Sequence, residues 1–102
     1  MKLIEMLCEM VDEEIEDAEK YAKCALKYKA DNPALSKTFY DLSTDELRHM
    51  MLLHGEVTGA IQKYRQEHGE PPAEMKGIYE YLHEKQIKKA AEVKRLQEMY
   101  RE

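Results

Sequence analysis

The chain can break regular structure at only two places. "ADNP" at 30 to 33 and "HGEPPAEMKG" at 68 to 77 hold all 3 prolines and two of the 4 glycines. Between these breaks the sequence is dominated by Glu, Lys, Leu, Ala and Met, which favour helix over strand. Three long helices are therefore expected, at roughly 2 to 30, 33 to 67 and 74 to 101, and the fold class is all-α. Asn32 is placed to cap the second helix, and Pro33 occupies its first position. The first two helices, joined by a short turn, should pack as an antiparallel hairpin. The chain thus divides into a helical hairpin over 1–68, a linker over 69–77 and a C-terminal helix over 78–102.

Winding the first helix at roughly 100° per residue gathers Leu3, Ile4, Leu7, Cys8, Val11, Ile15, Ala18, Tyr21, Ala22, Ala25 and Leu26 into one arc. One charged residue in the body of the helix falls inside it, Glu14. The second helix gathers Leu35, Phe39, Leu42, Met50, Leu53, Val57, Ala60, Ile61 and Tyr64, with Glu46 near the middle of that face and His49 at its edge. The third helix carries a stripe of Ile78, Leu82, Val93, Leu96 and Tyr100 that Lys85 and Lys89 interrupt. It is expected to dock loosely, or against a second chain.

An isolated carboxylate in an apolar interior is costly unless it finds a partner or neutralises. Counted from the turn near residue 32, Glu14, Glu46 and His49 fall within roughly 6 Å of one level in an antiparallel hairpin. They can meet. Two carboxylates and an imidazole form a ligand set for a hard or borderline metal such as iron, manganese or zinc. Helical-bundle di-metal proteins use one Glu from each of two helices and a Glu-x-x-His from each of the other two. This chain holds half of that set, and a twofold dimer would supply the other half. A metal-free cluster held by hydrogen bonds is the alternative. Spacing alone does not decide, since Glu80-Tyr-Leu-His83 repeats the Glu-x-x-His pattern off the apolar stripe, where it reads as solvated surface.

Glu14, Tyr21 seven residues on, and Glu46-x-x-His49 some thirty residues later resemble the first half of a ferritin-like di-iron protein, as in rubrerythrins and bacterioferritins. The resemblance covers residues 3 to about 67. The second pair of core helices found in full-length members is absent, so the architecture is most similar to short encapsulated-ferritin subunits, which pair to complete the site. The resemblance implies a homodimer or higher homo-oligomer with a four-helix bundle around a shared di-iron centre. It also implies Glu14, Glu46 and His49 as ligands, Tyr21 as a hydrogen-bond partner of a ligand glutamate, and oxidation of Fe(II) or peroxide detoxification as the activity, with an unspecified electron donor. The competing expectation is a non-catalytic interaction or assembly protein with a vestigial metal site.

A formal net charge of -5 argues against a nucleic-acid backbone as partner. The N-terminal stretch lacks an apolar run long enough for a signal sequence or membrane span, so a cytoplasmic location is expected. Cys8 and Cys24 would lie about 24 Å apart on one helix, too far to bridge, and no C-x-x-C pair is present. Two reduced thiols are expected. His54, with Tyr40, Leu47 and Met51, marks a second packing surface of the second helix and a candidate oligomer contact. The methionines read as adaptable core filler. Tyr79 and Tyr81 read as packing residues, and His68 has no assigned role.

Overall fold

The computed structural model describes residues 2–102 as three helices: α1 (Lys2–Tyr28), α2 (Pro33–His68) and α3 (Ala73–Arg101). Asn32 caps α2, its side chain accepting from the Leu35 amide at 3.2 Å, and Pro33 stands at the start of the helix. At the other turn Gly69 adopts φ +78, a left-handed conformation open to glycine at little cost, and its amide closes the end of α2 on the Arg65 carbonyl. The linker is shorter than the sequence suggests. Pro71 and Pro72 end it, α3 starts at Ala73, and Gly77 lies inside the helix on its exposed side.

The helices run up, down and up, giving an elongated bundle of 55 × 18 × 18 Å with a radius of gyration of 16.4 Å. A compact domain of this size would have about 13 Å. α2 alone, at 36 residues, spans the full length. α1 is the central element. Its buried residues Ile4, Leu7, Cys8, Val11, Ile15 and Ala18 form one cluster with Leu47 and Val57 of α2 and Val93 of α3.

Small residues bring α1 and α2 together toward the Asn32 turn. Ala18, Ala22 and Ala25 are buried there, opposite the buried Ser36 and Ser43. Each serine hydroxyl satisfies itself on the partner backbone, Ser36 donating to the Ala25 carbonyl and Ser43 to the Ala18 carbonyl, the latter at 2.7 Å. A bulkier β-carbon substituent at either level would force the helices apart.

α3 is not loosely held over its whole length, and of the Tyr40–Leu47–Met51–His54 surface of α2 it leaves Met51 65% exposed. It lies along α1 and reaches across to that surface itself. Val93 is fully buried, Leu96 nearly so, and Gln97 donates to the Ser43 hydroxyl at 2.9 Å. Tyr100 stacks on Tyr40 at 4.4 Å, and His83 on His54 at 4.9 Å. Lys85 and Lys89 interrupt the stripe that was read from the sequence, yet the buried row of Gln86, Val93 and Gln97 runs beside them and uses amides that make their own hydrogen bonds. No described helix is long and apolar enough to cross a membrane.

Candidate metal centre

Heptad spacing positions the acidic residues. Glu14 lies on the row of α1 that also carries Leu7, Tyr21 and Tyr28, and Glu46 on the row of α2 that carries Phe39, Leu53 and Ala60. These rows flank the α1–α2 seam on the side turned away from α3, which meets α1 through Cys8 and Asp12. His49, one turn after Glu46, completes the group. One oxygen or nitrogen from each of Glu14, Glu46 and His49 lies within 4.8 Å of the others. All three sequence-derived ligand candidates are brought together.

His49 Nδ1 stands 3.6 Å from Glu14 Oε2 and 3.8 Å from Glu46 Oε2. Both distances exceed hydrogen-bond range. They approach what one ion demands, since donors bonded at about 2.1 Å to a common metal sit roughly 3 to 3.5 Å apart. The glutamate side chains are largely covered, at 26% and 18% exposure, while His49 at 43% faces the opening. Glu14 Oε2 is buried and has no hydrogen-bond partner. A desolvated carboxylate oxygen in that state costs about 1 to 3 kcal/mol or more, and a cation beside it removes the cost. The three donors therefore fit a divalent metal, with coordination positions left open for a further ligand.

Tyr21 lies on the same row of α1 as Glu14, one heptad on. It does not bond the orphaned Glu14 oxygen; its ring stacks on Phe39 at 6.2 Å, and Phe39 stacks in turn on Tyr28 at 6.1 Å. Met10 and Leu42 lie one turn before Glu14 and Glu46 respectively, at 39% and 36% exposure. The open side of the centre thus has an apolar border.

Cys8 and Cys24 are free thiols, as expected. The second Glu-x-x-His pair splits: Glu80 is exposed, whereas His83 is partly buried between His54 and Tyr79. Tyr79 packs against the core, but Tyr81 is 65% exposed. Ser36, Ser43, Gln86 and Gln97 were missed as interior residues, because polar side chains at helical spacing carry no signal of burial. Compared with models of known families, with curated proteins and with solved structures, the chain matches none.

Proposed function

We propose that this protein is a ferritin-like metal-binding protein that oxidises Fe(II) at a site completed by two copies of the chain. The observation that carries the proposal is the buried, unpartnered Glu14 Oε2 facing Glu46 and His49. In the proposed assembly two hairpins pair across the open α1–α2 side, covering Met10 and Leu42, and the doubled set of four glutamates and two histidines holds two iron ions. Glu46 chelates or bridges, Glu14 completes each half-site, and His49 contributes one nitrogen per metal.

Iron is the substrate. Each Fe(II) loses one electron, and the two electrons with two protons convert dioxygen to hydrogen peroxide, or the two electrons cleave peroxide to two hydroxides. Carboxylate-rich ligation favours the higher oxidation state. His49 binds only as the neutral imidazole, so binding releases any proton it carries.

A second reading, a non-catalytic assembly subunit, draws on exposed apolar side chains that metal chemistry does not need, among them Met51, Leu52, Ile78 and Ile87. Anaerobic reconstitution with Fe(II) separates the two. The metal reading expects about one iron per chain after desalting; iron near zero would leave the assembly reading.

A further inference from the structure

The two halves of α3 are held by different kinds of contact. The C-terminal half is held by Val93 and Leu96 in the core, by the Gln97–Ser43 hydrogen bond and by the Tyr100–Tyr40 stack, with Arg101 donating to the Tyr40 hydroxyl at 2.6 Å. The N-terminal half leaves Ile78 and Ile87 largely exposed and borders three crevices, of about 210, 380 and 370 Å³. Beyond the partly buried Met75 and Leu82 and the packing of Tyr79 on the core, what ties it down is a column of rings and one amide. Tyr79 and His83 stack at 5.7 Å and 9°, His83 and His54 at 4.9 Å and 5°, and Gln86 donates to Asp12 at 3.0 Å and to the Cys8 carbonyl at 3.4 Å.

Rings stacked face to face do not aim their nitrogen lone pairs at a common point, so the His54–His83 pair is not a chelate for one ion. Among the described residues the histidines with a carboxylate in ion-pair range are His49 and His68, and neither ring of the stack has one. The titratable groups around the column are Glu5, Cys8, Glu9 and Asp12 on α1, Asp12 being engaged by Gln86; Arg65 on α2, toward Tyr79; and Lys76, Glu80 and Lys94 on α3.

We propose that the His54–His83 stack is a proton-sensitive clasp: protonation releases the N-terminal half of α3 from α1 and α2, uncovering the Cys8 thiol and the apolar lining of the adjoining crevices. Burial first, and the charge of His83 second, hold His54 below its ordinary 6.5. The released state therefore binds the proton more readily than the docked one, and release is favoured as pH falls below 6.5. Above that value this contribution to docking no longer changes with pH. Cys8 is suited to report release, because it is buried under Gln86 and Tyr79, and burial, with Asp12 beside it, pushes its thiol up. Cys24 on the same helix is partly exposed without any help from α3's first half, and it serves as an internal reference.

The test is modification of the metal-free full chain with 4,4′-dithiodipyridine at pH 7.5 and 5.5, with both cysteines quantified by peptide mass spectrometry. The ratio of Cys8 to Cys24 rates cancels the intrinsic pH dependence that thiols share. It should rise severalfold at pH 5.5, as the group returns to its ordinary value on release. His54→Phe keeps a ring in the stack and should abolish the rise. Hydrogen exchange over 73 to 86 should accelerate in parallel in the wild type alone. A ratio that is flat in the wild type, or that rises equally in His54→Phe, overturns the clasp; if His54→Phe misfolds by circular dichroism, His54→Gln must also show no rise.

Discussion

Glu46 stands 3.8 Å from His49 with no hydrogen bond between them, so it contributes little to the metal-free fold. Glu46→Ala should therefore abolish tight iron binding while leaving the melting temperature of the apo protein unchanged or higher, as clustered desolvated carboxylates repel. A structural Glu46 gives the opposite signs: unchanged metal content and a loss of about 1 to 3 kcal/mol. Glu80→Ala is the control, because it breaks the other Glu-x-x-His match at an exposed position and should change neither quantity. Glu14 is the stronger case in stability. Its orphaned oxygen makes Glu14→Gln stabilising in the apo form by about 1 kcal/mol, seen as a rise of about 4 to 8 °C in melting temperature. A fall would mean that the carboxylate has a protein partner.

At the level of elements, α3 closes the side of α1 opposite the metal centre, so its packing and metal binding should be separable. Val93→Ala removes two methyl groups from a fully buried site. It should cost about 2 kcal/mol in urea unfolding with iron stoichiometry unchanged; lost iron would place α3 in the centre. Ser43→Ala deletes a hydroxyl that donates to Ala18 and accepts from Gln97, leaving that buried amide short of a partner, and should cost about 1 to 3 kcal/mol in the same assay. Helix number, the Asn32–Pro33 start and the convergence of Glu14, Glu46 and His49 were legible in the sequence, since capping chemistry and helical phase are local properties. The docking of α3 was not. It depends on Gln86, Gln97 and Ser43 satisfying one another across helices, and on His83 finding His54; hydropathy scores all of these as surface.

For the whole molecule, the unoccupied side of the hairpin decides the assembly. Leu3, Met10 and Leu42 are exposed at 57%, 39% and 36%, and the last two each lie one turn before a member of the Glu14–Glu46–His49 group. In the proposed assembly a second copy buries them, enlarging the modest core that 102 residues can form. Sedimentation at micromolar concentration should show a dimer or a multiple of it. Leu42→Lys should shift that population to monomer and lose iron binding with it, whereas a monomeric wild type that still binds iron would place the site within one chain. The claim beneath all of this is that Glu14, Glu46 and His49 are metal ligands. Crystals of the Fe(II)-reconstituted protein measured on both sides of the iron absorption edge test it most directly: the account predicts an anomalous peak bounded by these three side chains and their symmetry mates, and density in which the three side chains contact only each other would contradict it.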